Sequence, residues 1–441
     1  MIRTAKSPTP GIALPSASRA AQRVAWLSML AAACGCSRDW DSYDPRSSEP
    51  DAEPSCGGVT VLAESFESGF DEAAWQRGEG DGGTVTVREG HLVASLPESG
   101  YGHAFLATRH SYDLTGRAVS VEAVSMPPAG SGTETTFGVR SDFGHRIEFY
   151  LSGDQLRADR IVAGQEETIA SVLYQPTAQR FWRVREQDGV VYWETSDGGE
   201  WQERASATTA SLFDPHHLFV YFGSGGSGNG TPVETHFDDL NGGGPPAESL
   251  CPAHALRDDF DDREQGAAWR AGSYTEEGCS LAETDGRLVA TMAPGAWRQC
   301  GYATSSVYNL LGSAVVLEVV EPPEAGTETN VSLQVAKDLY DDAATLNVNG
   351  ENVHCQTYVG NQEDLVAYRQ YVHADHRWLR LREESGALHY EASAEGASWL
   401  SLGEAASPFD LGRVKLIVGF SKGPNYPDRT TVAVDNLNLP P

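Results

Sequence analysis

The chain has 441 residues, with 62 acidic side chains against 32 Lys and Arg, and its formal net charge is -30. The length suggests roughly two or three domains, and 40% of the residues are hydrophobic, which suffices for folded cores. So acidic a chain is expected to bind neither nucleic acid nor anionic lipid headgroups, because both require basic surface that displaces counterions.

The first 33 residues predict an export signal. Residues 1–23 carry four basic side chains and no acid, and an apolar run of about ten residues follows, too short to span a bilayer as a helix. Small residues directly before Cys34 resemble a bacterial lipoprotein signal, although Ala31 stands where that signal usually has Leu. The resemblance implies cleavage before Cys34, acylation of its thiol, and a lipid anchor in the bacterial envelope, at the outer membrane or cell surface. An ordinary secretory signal cleaved near Ala33 is the alternative.

Residues 34–56 predict a flexible tether. The segment is acidic and rich in Ser and Pro, and it has no apolar period, so it cannot bury enough surface to offset its ordering entropy. Its reach is about 25 Å.

The remainder of the chain is an internal duplication. We predict a first domain at 57–241, a Gly/Pro linker at 242–255 and a second domain at 256–441. The matching segments are RFWRVRE (180–186) with RWLRLRE (377–383), GTET (132–135) with GTET (326–329), and FDDLN (237–241) with VDNLN (434–438).

Both copies show the period of β-strands. Val119, Val121 and Ala123 alternate with Ser120 and Glu122, and turn dipeptides separate such runs. Many short alternating strands joined by Gly-rich turns predict an all-β fold, and about 180 residues per copy suits a jelly roll. The sequence therefore predicts two tandem antiparallel β-sandwiches.

The block RWLRLRE…HYEASAEGASW, with the opening Phe-to-Trp spacing and the closing D-x-L, resembles the concanavalin A-like lectin/glucanase superfamily. This resemblance implies laminin G-like jelly rolls and a choice among glycan-binding modules, adhesion modules and glucanases. Laminarinase-type glucanases of the superfamily carry Glu-x-Asp-x-x-Glu on one strand, a motif that this chain lacks. We therefore expect a protein that is not an enzyme.

A hairpin in each copy supplies candidate binding residues. A two-residue turn at Asp188-Gly189 places Arg183 opposite Glu194, and the turn at Ser385-Gly386 gives the matching pair in the second copy. One hypothesis is a carbohydrate site, in which an aromatic ring stacks on a sugar while Arg and Glu bind hydroxyls. The other is a solvated salt bridge that fixes strand register. The candidates are Phe181, Arg183, Arg185, Tyr192, Glu194, Trp378, Arg380, Arg382, His389 and Glu391. The core is expected to hold Trp182, Val184 and Trp193, with Trp201 and Trp399 capping it.

No cofactor is certain, but a structural calcium ion is expected at the ends of each copy. The opening acids Glu67 and Asp261 and the closing acids Asp238 and Asp435 recur in both copies, and first and last strands often lie close in sandwiches. The alternative is that these are solvated acids at strand ends.

The cysteines fit an oxidising compartment. Cys279 and Cys300 align with Gly83 and Ala104 and are therefore absent together from the first copy, which predicts a disulfide between neighbouring strands. Cys56 and Cys251 either link the two domains or pair with Cys36 and Cys355.

Together these features predict an exported, lipid-anchored envelope protein that binds a glycan, or a protein partner on the cell surface, through two lectin-like modules. A glycoside hydrolase acting on a polysaccharide and a purely structural envelope module are the alternatives.

Overall fold

The computed structural model describes residues 56–440 apart from 142–143, 210–211, 213, 230–231, 267, 272–276, 338–341 and 361. The predicted signal, Cys34, Cys36 and nearly all of the tether lie outside the described residues. Residues 54–441 form one compact unit. Within the part described, no helix is both long and apolar enough to cross a membrane.

Fourteen described strands follow the short 3-10 helix Val59–Val61 and build the first module. They are β1 (Trp75–Gly80), β2 (Thr84–Arg88), β3 (His91–Leu96), β4 (Ser99–Thr108), β5 (Ala118–Ser125), β6 (Thr133–Arg140), β7 (Arg146–Ser152), β8 (Gln155–Val162), β9 (Gln165–Leu173), β10 (Phe181–Gln187), β11 (Val190–Ser196), β12 (Gln202–Thr208), β13 (Phe219–Asn229) and β14 (Val233–Asp238).

The second module repeats this order after the 3-10 helix Ala253–Ala255. Its strands are β15 (Trp269–Ala271), β16 (Cys279–Glu283), β17 (Leu288–Met292), β18 (Arg298–Thr304), β19 (Ala314–Glu321), β20 (Thr329–Ala336), β21 (Ala343–Asn349), β22 (Asn352–Val359), β23 (Gln362–Gln370), β24 (Trp378–Glu384), β25 (Ala387–Ser393), β26 (Leu400–Ala406), β27 (Lys415–Lys422) and β28 (Thr430–Asp435).

Each module stacks two seven-stranded antiparallel sheets. In the first module, sheet A1 has the order β1-β4-β13-β6-β7-β8-β9 and sheet B1 the order β12-β11-β10-β5-β14-β3-β2. Sheets A2 (β15-β18-β27-β20-β21-β22-β23) and B2 (β16-β17-β28-β19-β24-β25-β26) contain the equivalent strands, each fourteen positions later in chain order. The predicted all-β fold of two tandem sandwiches is confirmed, and the duplication extends to strand topology.

The core of each module lies between its two sheets, where alternate side chains meet. Trp182, Val184 and Trp193 are fully buried, as the alternation predicted. The indole N–H of Trp193 donates to the carbonyl oxygen of Glu148 at 3.0 Å, so this buried donor has a hydrogen-bond partner. In the second module Tyr390 occupies the equivalent position, and its hydroxyl donates to the carbonyl oxygen of Gln356 at 3.0 Å.

Two disulfides link distant parts of the chain. Cys56 pairs with Cys251, which decides between the alternatives that the sequence left open. The predicted bond between Cys279 and Cys300 is present, but it joins β16 of sheet B2 to β18 of sheet A2 rather than neighbouring strands of one sheet. Cys355 is a buried free thiol.

The segment 242–255, predicted as a Gly/Pro linker, is bonded to the first module. Besides Cys251, Glu248 contributes by accepting a hydrogen bond from Arg117 Nε at 3.0 Å. The backbone N–H of Gly57 donates to the carbonyl oxygen of Ser249 at 2.8 Å.

Candidate functional site

The hairpin residues predicted from the turns lie in the predicted register on sheets B1 and B2. Arg183 faces Glu194 and Arg185 faces Tyr192 across β10 and β11. In the second module Arg380 faces Glu391, and Arg382 faces His389. The turn positions therefore predicted the cross-strand pairs correctly, and the alternation of residues predicted which side of the sheet each side chain lies on.

Each glutamate of this face is enclosed by two arginines. Arg183 Nε lies 2.7 Å from the Glu194 carboxylate and Arg185 Nη2 lies 2.9 Å from it, and the Glu194 side chain is 6% exposed. Burial by itself would raise the pKa of Glu194, but the hydrogen bonds from Arg185 and Arg183 outweigh it and lower the pKa. Glu391 repeats this balance with Arg382 and Arg380.

The aromatic residues of this face also contact the arginines. Arg183 stacks on Trp201 with 4.1 Å from its guanidinium carbon to the ring centroid, and Arg380 stacks on Trp399 at 4.0 Å. The expectation that these tryptophans cap the core is wrong, because they lie on the outer side of the sheet. Trp378 is 3% exposed and presents no open ring for stacking.

These contacts give direct support to the structural interpretation of the face. Its guanidinium and carboxylate groups satisfy one another, so a ligand would have to displace existing bonds. A binding role for Phe181, Tyr192 and the other hairpin candidates stays a prediction. Arg380 and Trp399 do border a cavity of about 410 Å³.

Of the acids expected to bind calcium, Asp238 ends β14 and Asp435 ends β28, whereas Glu67 and Asp261 lie in the segments before β1 and β15. Asp238 lies opposite Glu122 across β14 and β5, and Asp435 lies opposite Glu318 across β28 and β19. Arg180 pairs with Glu122, and Arg377 pairs with Glu318. The described residues contain no group of three or more His, Cys, Asp or Glu side chains arranged to hold a metal. Calcium at Glu67, Asp238, Asp261 and Asp435 stays a prediction.

The outer face of sheet A2 forms a groove that the sequence analysis did not predict. On β20, Asn330, Ser332 and Gln334 face outward and alternate with buried Val331 and Leu333. The cavity measures about 400 Å³. Its lining also includes Trp297, Gln299, Thr345, Asn347, His354, Gln356, Tyr358, Gly419 and Ser421.

Uncharged polar groups dominate this second-module groove. Gln334 Nε2 donates to Ser332 Oγ at 2.8 Å, and Asn347 Nδ2 donates to Gln356 Oε1 at 2.8 Å. Burial lowers the pKa of His354, which keeps its ring neutral at neutral pH. Trp297 stands at the rim with half of its surface exposed.

The equivalent groove on sheet A1, the first-module groove, is charged. Its cavity measures about 590 Å³. Tyr221 donates a hydrogen bond to Glu148, and Arg146 Nε lies 3.5 Å from the same carboxylate. Burial raises the pKa of Glu148 despite these partners. The exposed ring of Tyr101 and the half-buried ring of Phe105 also line this groove.

A second carboxylate lies beside Glu148. Asp159 on β8 is its direct cross-strand neighbour, is fully buried, and pairs with Arg157 Nη2 at 2.8 Å. Burial raises the pKa of Asp159 as well. The equivalent positions in the second module are Thr345 and Gln356, so only the first-module groove carries this acid pair.

A sequence signal for the grooves existed. Asn, Ser and Gln at every second position of 330–334 mark an outward polar face as clearly as the Arg and Glu of the hairpins do. This pattern does not show which strand pairs with β20, however, because its neighbour β27 lies about eighty residues further along the chain.

Among the described residues, the fold is that of two tandem jelly rolls, and the outer face of sheet A1 and that of sheet A2 each carry an open groove. Neither a protein-family model nor a curated protein matches the chain. Solved structures do match, at 9–15% sequence identity and TM-scores of 0.31–0.32.

The matching structures include glucanases. A β-glucanase of Bacillus licheniformis is 15% identical with a TM-score of 0.32, and the match covers 41% of this chain and 95% of that one. A laminarinase from Flavobacterium sp. UMI-01 is 10% identical with a TM-score of 0.32, covering 41% and 97%. A family 16 endo-glucanase from Bacteroides ovatus, solved in complex with G4G3G-2F-DNP, is 9% identical with a TM-score of 0.31, covering 42% and 97%.

The prediction that the chain is not an enzyme is contradicted by this finding, because the matching structures are those of glycoside hydrolases. Sequence identities of 9–15% assign no substrate and no activity to this chain.

Proposed function

We propose that this protein is exported and binds carbohydrate, with a neutral glycan held in the second-module groove. The observation that carries the proposal is the groove lining, in which amide and hydroxyl side chains surround an open floor and Trp297 stands half exposed at the rim. Carbohydrate sites combine a few placed polar groups with an apolar surface, and this groove has both.

The chemistry of the lining favours a neutral sugar over an acidic one. Asn and Gln side chains each offer a donor and an acceptor, which match the paired donors and acceptors of sugar hydroxyls. A polar group can be buried at low cost only when it gains a hydrogen bond, and hydroxyls beside Gln334 and Asn347 would gain one. The indole face of Trp297 can pack against the apolar face of a sugar ring.

The N-terminal sequence supports a location for this activity. A lipoprotein signal at 1–33, with a lipid anchor on Cys34 and a tether after it, would hold both modules outside the cytoplasm near a membrane, where a glycan or a surface protein bearing one is accessible. Fatty-acid labelling of the wild type and of Cys34→Ser tests the anchor, and equal incorporation in both would contradict it.

Glycan hydrolysis in the first-module groove is a second candidate function. Glu148 and Asp159 are adjacent across two strands, so their Cβ atoms are about 5 Å apart. Retaining glycosidases use two neighbouring carboxyl groups that act on one glycosidic bond, one of them an acid with a raised pKa. Burial raises the pKa of both carboxyl groups, but only Glu148 of the two lines the groove, which suits a general acid; Asp159 would need access that its burial now denies.

Binding is tested by screening the full chain on a glycan array and titrating the polysaccharide that scores highest. Trp297→Ala is expected to weaken binding by about 1.5–2 kcal/mol, or roughly tenfold to thirtyfold, as expected for loss of an aromatic anchor. Leu400→Ala is the matched control, because Leu400 is 53% exposed but lies on sheet B2. Equal affinity in Trp297→Ala and wild type, or no glycan bound at all, would contradict the proposal and favour a structural envelope module.

Hydrolysis is tested by measuring new reducing ends in the polysaccharide that binds. Glu148→Gln is expected to abolish release while leaving second-module binding intact, and Glu200→Gln, an exposed acid outside the groove, serves as control. Release that persists in Glu148→Gln, or no release from any bound polysaccharide, would rule out this chemistry at Glu148.

A further inference from the structure

The two modules meet along a polar contact that includes a small cavity. The backbone N–H of Ser111 donates to the carbonyl oxygen of Ser305 at 3.3 Å, and the hydroxyl oxygens of Ser111 and Ser306 lie 3.1 Å apart. Arg270 of the second module stacks on Phe219 of the first. The cavity measures about 280 Å³ and is lined by Glu72, Ala73, Arg109, His110, Lys337, Asp410 and Arg413.

Basic side chains converge on this cavity in a protein that is otherwise strongly acidic. Arg109 is fixed at its wall, because its Nε donates to the carbonyl oxygens of Glu72 at 2.8 Å and Trp75 at 2.9 Å. Lys337 is exposed and makes no ion pair with any other described residue. Two of the four lysines of the chain lie at this contact, since Lys415 is buried behind it and donates to the carbonyl oxygen of Thr304 at 2.7 Å.

The carboxylates of the lining are engaged elsewhere. Glu72 pairs with Arg77 at 3.2 Å, and Asp410 accepts the backbone N–H of Gly412 at 2.9 Å. Arg413 Nη1 lies 3.3 Å from the carboxylate of Asp71. The lining therefore has three basic side chains and two acidic ones, and of the basic side chains Arg413 is paired with Asp71, which lies outside the lining.

His110 shows the consequence of this charge distribution. The residue is 5% exposed, and its buried Nδ1 has no hydrogen-bond partner. Burial, followed by the positive charges of Lys415, Arg413, Arg270 and Arg109, lowers the pKa of His110 to about 2. The imidazole is therefore neutral, and it supplies an unpaired polar atom at the wall of a positively charged cavity. Buried polar atoms without partners are uncommon, and a ligand is one cause of them.

We infer that this cavity binds an oxyanionic group, a carboxylate, sulfate or phosphate, held jointly by Arg109 and His110 of the first module and Lys337 and Arg413 of the second. Guanidinium groups recognise such anions with two parallel hydrogen bonds, and a lysine adds a point charge. The anion has two sources, a free inorganic ion or an acidic sugar. Because both modules contribute, the bound anion would also fix their mutual orientation.

The test is calorimetric titration of the full chain with sodium sulfate, sodium phosphate and sodium glucuronate at constant ionic strength set by chloride. We expect at least one to bind in a 1:1 ratio, and the ranking of glucuronate against the inorganic ions identifies the source. Arg413→Gln should weaken that binding roughly tenfold, and Lys337→Gln roughly threefold. The control Arg287→Gln removes an arginine paired with Glu321 elsewhere and should have no effect.

Lys337→Gln keeps the test decisive if Arg413→Gln disturbs the module contact, because Lys337 is exposed. Absence of binding by all three anions, or binding equal in wild type and Lys337→Gln, would overturn the inference. The outcome is independent of glycan binding, which is measured at Trp297 in a different groove.

Discussion

Replacing Glu194 by glutamine decides whether the hairpin face of the first module stabilises the fold or binds a ligand. Glu194 is 6% exposed and lies within 3.1 Å of three donor nitrogens, Arg183 Nε at 2.7 Å and Arg185 Nη2 and Nε at 2.9 and 3.1 Å. The substitution keeps the shape but removes the charge, and it turns one acceptor into an amide donor that faces guanidinium donors.

The magnitude follows from those contacts. Hydrogen bonds to charged groups contribute about 1.5–3 kcal/mol each. The arginine side chains are 21% and 24% exposed, so water can compensate for part of the loss. We therefore expect Glu194→Gln to lower the free energy of unfolding by about 2 kcal/mol. In a domain of this size the melting temperature should fall by roughly 4–8 °C.

Calorimetry and urea denaturation measure this loss, with Glu391→Gln as the equivalent change in the second module and Glu200→Gln as an exposed control expected within about 0.5 kcal/mol of wild type. The lowered pKa of Glu194 adds a pH test. Its stabilisation is complete above the ordinary value of 4.5 and is lost as the pH falls through the lowered folded-state pKa. If Glu194→Gln left stability unchanged and instead weakened glycan binding, the structural interpretation would be refuted.

Two further predictions concern stability. Burial raises the pKa of Glu283 to about 7 and that of Asp435 to about 6, so these two carboxyl groups take up protons in the folded state and their contribution to the stability of the second module should increase as the pH falls from about 8 to about 5. Glu283→Gln should raise the melting temperature at about pH 8 and flatten this profile, and an unchanged profile would contradict the assignment. Removing the bond between Cys56 and Cys251, 195 residues apart, by Cys251→Ala should cost up to about 5 kcal/mol in denaturation experiments, whereas a loss below about 1 kcal/mol would show that the linker contacts suffice.

Local patterns predicted more of this molecule than its long-range pairings did. The two-residue turns at Asp188 and Ser385 determine the hairpin register, because pairing there follows from counting residues outward from the turn. Alternation then identified Trp182 and Trp193 as core. The joint absence of Cys279 and Cys300 from the first copy gave the disulfide, but not that it links two sheets.

The grooves escaped prediction for a physical reason. Tyr101, Glu148 and Tyr221 come from β4, β7 and β13, and these strands are brought together by pairings between residues far apart in the sequence, such as Ala107 with Tyr221 and Arg140 with Phe219. No local sequence pattern shows that these strands are neighbours. The hairpin contacts are local and can be predicted, and the predicted site was therefore placed on sheet B1 instead of sheet A1. Glu148 was also inconspicuous in sequence, since its raised pKa arises from burial that only the tertiary structure creates.

The two grooves differ in a way that constrains what one chain can bind. At equivalent positions Glu148 and Asp159 of the first module stand against Thr345 and Gln356 of the second. A neutral ligand that fits beside the amides of the second-module groove would face charged side chains in the first-module groove, so identical segments of a polymer should not fit both equally. Avidity between the two grooves therefore requires a ligand that has two kinds of segment, one for each groove. The alternative is that one groove binds the polymer and the other catalyses its hydrolysis. The disulfide between Cys56 and Cys251 lies within the compact unit that contains both grooves. Ligand binding by the two grooves should therefore be compared in the full chain.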